Sequence, residues 1–249
     1  MNSIYIHQPN LFPWLGMIQR MYSSDIFVVL DNVQFTQYGF QNRFFLKDAN
    51  GEMRLTIPLK KGQHKVAINK IQMSDSAFRK KIFESILHNY SNTMNFKNHI
   101  DNIERILFPE SDLLCDVSLG YIDYIIDYLD LNTDVILASN LNLFSEDKVE
   151  RISEILNMFS KPDESNYWIA GSGSLKYLDD NSNGIIDNAH IKTIRDFYEA
   201  SCPIYRQKYM KIGFLPRLSS LDALFNLKRD ELLNLLYNYH HTHVEPSLK

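Results

Sequence analysis

The residues His7-Gln8-Pro9-Asn10, followed by Pro13-Trp14-Leu15-Gly16, put an imidazole, two amides and an indole where a first apolar run gives way to the next element. A segment that only reverses the chain needs Gly, Pro, Asn, Asp or Ser, and has no use for imidazole or indole. The ordinary pKa of histidine lies near neutrality, so His7 is suited to act as a general base or to donate a hydrogen bond to a developing anion. Gln8 and Asn10 each offer donor and acceptor atoms to a polar ligand. The plainer alternative is a rigid turn, with the histidine satisfying a backbone carbonyl and Trp14 in the core.

A second group follows: Asp31, Gln34, Gln41, Asn42 and Arg43. A carboxylate, amides and a guanidinium behind a strand end suit a sugar or phosphate, which Arg contacts in a planar, bidentate way. The competing reading is a solvated loop that caps helices. A third group, Gly171-Ser172-Gly173-Ser174, stands between an apolar run and a helical pattern. Such a turn exposes backbone N–H groups to an anion, although it is neither the P-loop nor the full dinucleotide fingerprint. A flexible turn would use the same residues. The last group is Pro203-Ile204-Tyr205-Arg206-Gln207 and Phe214-Leu215-Pro216-Arg217, where Ser219 or Ser220 is suited to cap the helix that follows.

The elements that must hold these residues start with an N-terminal β-α-β unit. Ser3 to His7 and Ile26 to Leu30 read as buried strands, and Trp14 to Tyr22 as a helix with Pro13 near its start. In such a unit the strands run parallel and ligands sit beyond their carboxyl ends, which places His7–Asn10 beside Asp31–Gln34. Phe44–Lys47 and Met53–Pro58 around Asn50-Gly51 form a hairpin signal, and Val66–Met73 reads as a further strand. Residues 75–132 carry helical periodicity and form an insert. Asp134–Ala138, Tyr167–Ala170 and Ile191–Phe197 return to strand character, and Leu221–Tyr239 is mostly helical. The expectation is one α/β domain over residues 1–249, its mixed sheet built on the N-terminal unit and a helical insert in mid-chain.

The composition narrows the function. A net charge of -4 argues against an extended nucleic-acid surface. No apolar run reaches membrane-spanning length and no signal peptide is recognisable, so the chain reads as cytoplasmic, without membrane insertion. Cys115 and Cys202 are the only cysteines and belong to no metal-spaced set. The acidic residues do not cluster at ligand spacing, so no metal is expected, and His240, His241 and His243 read as a polar tail. No motif specifies a cofactor.

Taken in order, IHQPNLFPWLGM, the D-N-V-Q-F of 31–35, the Q-N-R of 41–43, YWIAGSGSLKYL at 167–178, PIYRQ at 203–207 and FLPRLSSLDALF at 214–225 resemble the WbqC-like family of bacterial proteins. Asn32 departs from that pattern, standing where an acidic residue often precedes Val-Gln-Phe. The resemblance implies work on surface polysaccharide: a transferase moving an acyl or aminoacyl group onto a nucleotide-linked aminosugar. His7 would then be the base or oxyanion donor, Arg43 and the glycine-serine turn would hold the diphosphate, and Trp14 and Tyr205 would cover a sugar or base. Two alternatives stand beside it. The His-Gln-Pro-Asn loop looks like the H-x-G-H or H-x-G-N loop of nucleotidylyltransferases, although Pro9 replaces the glycine that lets a phosphate approach. A non-catalytic sugar- or partner-binding module is the other. The first reading places His7, Asp31, Gln41, Arg43 and Tyr205 in one cleft.

Overall fold

A computed structural model describes residues 2–63, 65–160, 166–171, 189–193 and 204–243. The chain opens with β1 (Ser3–His7), α1 (Leu15–Tyr22) and β2 (Ile26–Val29), the expected β-α-β unit. β5 (Asp134–Leu137), β6 (Asn166–Ala170) and β7 (Ala189–Thr193) complete a five-stranded sheet ordered β5-β2-β1-β6-β7, every pair parallel. β3 (Arg43–Asp48) and β4 (Gly51–Thr56) form a separate antiparallel ribbon turned at Gly51, whose φ of 129° is available to glycine without strain. The parallel and antiparallel parts of this α/β fold are therefore two sheets.

Alternation along the strands supplies both faces of the parallel sheet. Tyr5, Phe27 and Val29 enter the larger core, while Ile4, Ile6, Ile26 and Val28 pack with Trp168, Ile155 and Leu156 on the opposite face. A parallel sheet covered on both faces needs this apolar filling on each side. Ile155 and Leu156 come from α5 (Lys148–Met158), which Asp147 caps by accepting from the N–H groups of Val149 and Glu150.

Between the ribbon and β5 run α2 (Ser76–Tyr90), α3 (Ile100–Leu107) and α4 (Leu114–Leu129). Their apolar stripes, including Ile82, Ile86, Ile103, Leu107, Tyr121 and Ile125, join the larger core together with Leu221 and Phe225 of α6 (Ser220–Asn226) and Leu232 and Leu236 of α7 (Arg229–His243). Ser219 is the α6 cap, its Oγ accepting from Leu221 N at 3.2 Å. Val66–Met73 does not form the expected strand. Its backbone is spent on a 3-10 turn at Ile68–Lys70 and on isolated bridges, Ala67 to Gln34 and Met73 to Leu59.

Candidate active site

His7 ends β1 at the carboxyl edge of the sheet, where its carbonyl accepts from Leu30 N at 2.8 Å. Its Nδ1 lies 2.7 Å from the carbonyl oxygen of Gln8. A carbonyl can only accept, so in the neutral ring Nδ1 carries the proton and Nε2 carries the lone pair. The half-buried ring stacks on Tyr5 at 5.7 Å and meets the edge of Trp14 at 6.0 Å.

Trp14 is the hub of an aromatic row. Phe40 lies 5.6 Å beyond it, and Phe45 of β3 lies 6.1 Å beyond Phe40. Trp14, Phe40 and Phe45 also line a shallow, solvent-open hollow together with Arg43 and Arg217. No carboxylate is among its described lining residues. Arg43 donates through Nη2 to the Gln37 carbonyl at 2.7 Å. Arg217 is exposed.

The local chain explains why these groups meet. Phe12, in the loop between β1 and α1, has a φ of 41°. For a bulky residue this conformation costs on the order of 1–3 kcal/mol and persists only where its surroundings impose it. Here Phe44 and Tyr121 grip the ring at 4.9 and 5.0 Å. The next residue is stitched to the far end of the chain, because Pro13 O accepts from both Ser220 N (2.8 Å) and Ser220 Oγ (2.6 Å). Trp14 bridges Ser219.

Ser219 terminates a strap, residues 204–219, that crosses the ribbon. Arg43, Phe45 and Lys47 share one face of β3, since alternate residues of a strand point the same way. Ser219 N donates to Phe45 O at 2.7 Å. Lys47, at 0% exposure, donates to Gln207 Oε1 (3.2 Å) and to Gly213 O (2.5 Å). Gln207 in turn clamps Leu215, accepting from its N–H at 3.0 Å and donating to its carbonyl at 2.8 Å. The clamp sits two residues before Arg217. Burial lowers the Lys47 pKa against the opposing pull of Asp222, also at 0% exposure. The Asp222 carboxyl is pushed up to about 7 by burial, against the attraction of Lys47 and the Asn226 amide.

The expected site residues separate into groups. Gln8 and Gln41 meet, with Gln41 Nε2 2.5 Å from Gln8 Oε1, and Gln41 Oε1 packs so closely on Gly39 that a Cβ there would lie 2.2 Å from it. Asp31 follows β2 at the expected edge but does not face a cleft. It is 2% exposed, and its carboxylate accepts from Ser139 N (2.8 Å) and Asn69 Nδ2 (3.0 Å), which ties β2 to the segments after β5 and around Asn69. Asn10 is 2% exposed, and Asn42 donates to Ile57 O at 3.0 Å inside the ribbon. Gln34 is exposed and bridges Ala67 through its backbone. Tyr205 lies on the strap with its ring edge-on to Phe214 at 5.4 Å. Gln207 is the buried strap clamp. Gly171 follows β6, where a Cβ would come within 3.0 Å of the Arg20 guanidinium. Ser172, Gly173 and Cys202 lie outside the described residues. Cys115 is buried and its thiol pKa is pushed up to about 12, chiefly by burial, so it is no nucleophile at neutral pH.

Arg217, Phe40, Phe45 and Lys47 were not among the residues expected at the site. The family pattern had included Arg217 without a role, and the alternation of β3 was the only signal that pairs Lys47 with Arg43. Among the described residues no three His, Cys, Asp or Glu side chains converge as metal ligands, and no helix is long and apolar enough to cross a membrane.

Comparison with known sequences follows the same span. The model of the WbqC-like protein family matches residues 8–233, nearly the whole chain. The chain belongs to the WbqC-like family. The matched span begins just after His7 and contains every described residue that lines the hollow. Among curated proteins the chain is similar to "Uncharacterized protein Rv1507c" of Mycobacterium tuberculosis, 24% identical over 230 residues that cover 91% of this chain and 94% of that protein. The match to the WbqC-like family model therefore takes in the ribbon, the strap and every strand of the parallel sheet but β1.

Proposed function

We propose that this WbqC-like protein is a transferase of bacterial surface-polysaccharide synthesis that places an acyl or aminoacyl group on the amine of a nucleotide-linked aminosugar. The family relationship supports the setting. The observation that carries the chemistry is the 2.7 Å contact of His7 Nδ1 with Gln8 O, which leaves Nε2 as the basic nitrogen at the carboxyl edge of the sheet.

In this reaction the amine nitrogen forms a bond to the carbonyl carbon of an activated acyl donor, and the bond from that carbon to its leaving group breaks. The amine proton passes to His7 Nε2 and from there to the departing group, which restores the neutral ring. The Gln8 carbonyl stabilises the imidazolium formed between the two transfers, because it accepts from Nδ1–H throughout. The nucleotidylyltransferase alternative draws less support, since Asn10 is buried where that reading needs it to reach a phosphate.

The test is transfer to a nucleotide-linked aminosugar from activated acyl and aminoacyl donors, followed by mass spectrometry, with His7→Gln alongside wild type. Gln keeps a hydrogen-bonding side chain of moderate size, so folding should survive while turnover falls about a hundredfold to ten-thousandfold, the usual contribution of acid–base catalysis. A lowered melting temperature with unchanged activity per folded molecule would sink the catalytic role.

A further inference from the structure

Acyl transfer needs a hydrogen-bond donor as well as a base, because the carbonyl oxygen of the acyl donor becomes an anion in the tetrahedral intermediate. The amide pair beside His7 supplies one. Gln41 is 4% exposed and donates through Nε2 to Gln8 Oε1 at 2.5 Å. An amide carries its oxygen and its nitrogen on opposite sides of one carbon, so engaging Gln8 Oε1 turns Gln8 Nε2 away from Gln41. That Nε2 makes no hydrogen bond among the described residues, and Gln8 is only half-buried, so its N–H groups are within reach of a ligand. Leu11 N donates to Phe40 O at 3.0 Å, which ties the loop after His7 to the segment that carries Gln41. The rings of Phe40, Trp14 and His7 continue the same junction, at 5.6 and 6.0 Å. Gln41 Oε1 is buried with no hydrogen-bond partner. A buried acceptor left unpaired costs stability, so holding the fold does not by itself explain a glutamine here.

We infer that Gln8 donates from Nε2 to the carbonyl oxygen of the acyl donor as it becomes an oxyanion, and that Gln41 is the positioning residue that presents this donor. The inference rests on the transferase reading and names the group that its oxyanion requires. As the amine nitrogen bonds to the carbonyl carbon, the carbonyl π pair moves onto oxygen, which accepts from Gln8 Nε2–H. That pair returns as the leaving group departs with its bonding electrons, and the amine proton follows the route through His7. Gln8 thus serves twice. Its backbone carbonyl accepts from His7 Nδ1–H, and its side chain meets the opposite charge of the same intermediate. Imidazolium and oxyanion are stabilised together by one residue.

The experiment is the amine-transfer assay over a pH series with Gln8→Glu, Gln8→Met, Gln41→Met and the double variant Gln8→Glu/Gln41→Met, each checked by melting temperature. Gln8→Glu keeps an oxygen for Gln41 Nε2 and replaces the donor by a carboxylate oxygen, whereas Gln8→Met removes the donor without adding charge. At the pH-independent plateau both should lower kcat about a hundredfold to a thousandfold, the usual loss of one oxyanion donor. KM for the aminosugar should stay within about twofold of wild type, since the bond forms only in the transition state. Gln41→Met should lower kcat less, and should add nothing in the Gln8→Glu background, because it acts only through Gln8. Wild-type kcat in folded Gln8→Glu and Gln8→Met would overturn the oxyanion role and leave the transferase reading intact. A full additional loss from Gln41→Met in the Gln8→Glu background would overturn its positioning role. Absence of transfer by wild type would overturn the transferase reading and this inference with it.

Discussion

Lys47 Nζ and Gln207 Oε1 are 3.2 Å apart across 160 residues of sequence, and both side chains are buried. Through Gln207 the lysine sets where Leu215 sits, and so where Arg217 begins. Replacing Gln207 by Leu leaves the buried ammonium short of an acceptor, at a cost of about 1–3 kcal/mol. The expected outcome is a lowered melting temperature and a lower urea midpoint, as the clamp on Leu215 is lost as well. An unchanged urea midpoint would show that the clamp adds nothing to the fold.

Lys47→Met removes the charge that opposes the buried Asp222 carboxyl. Gln207 Oε1 and the Gly213 carbonyl then lose their buried donor, at a cost of about 1–3 kcal/mol, while the Asp222 carboxyl holds its proton to higher pH. Urea unfolding at pH 7.5 should show that loss, and Lys47→Met with Asp222→Asn should recover part of it. Additive effects of the two changes would separate Lys47 from Asp222 energetically.

His99 and Asp222 respond to pH in opposite senses. Burial lowers the His99 pKa to about 4, and its neutral ring is held by Asn95 Nδ2 at 2.6 Å and by the Tyr124 hydroxyl. The unfolded chain protonates this histidine first, so its contribution is complete above pH 6.5 and is lost as pH falls from there toward 4. Asp222, raised to about 7, ionises first in the unfolded chain, so its contribution is complete below about pH 4 and is lost as pH rises toward 7. Stability of Asp222→Asn should therefore rise with pH between 4.5 and 6.5, and that of His99→Gln should fall. Urea midpoints at three pH values decide this, and identical profiles for the two variants would refute it.

Gly39→Ala places a Cβ 2.2 Å from Gln41 Oε1. The Gln41 side chain is flexible enough to move, which breaks its bond to Gln8 beside His7. A single hydrogen bond is worth about 0.5–1.5 kcal/mol, so the fold should survive while turnover falls through the disturbed loop. Melting temperature and turnover measured on the same preparation separate the two effects.

The parts legible in the sequence are those whose partners are near in the chain. The β-α-β start and the Asn50-Gly51 hairpin follow from contiguous patterns, and both are present. Val66–Met73 misled because apolar content alone does not distinguish a strand from a segment using its backbone in isolated bridges. Asp31 reached the expected edge, but its carboxylate was drawn to Ser139 and Asn69, which sequence spacing could not reveal. Lys47 is buried because the strap, 160 residues further along, covers its face of β3, and no local pattern announces that contact. Arg217 lies far along the chain from Arg43, and only the folded strap unites them.

The central position of β1 has a consequence for biosynthesis. Its pairing with β2 is available as soon as Val29 has left the ribosome, but its other edge waits for Tyr167, Trp168 and Ile169. Until then a strand buried on both sides in the finished protein offers unpaired backbone groups and apolar side chains to other nascent chains. Release of the polypeptide before Asn166 should yield aggregates rather than a soluble half-protein, and holdase chaperones should be most needed during synthesis of the segment from Arg43 to Asp163.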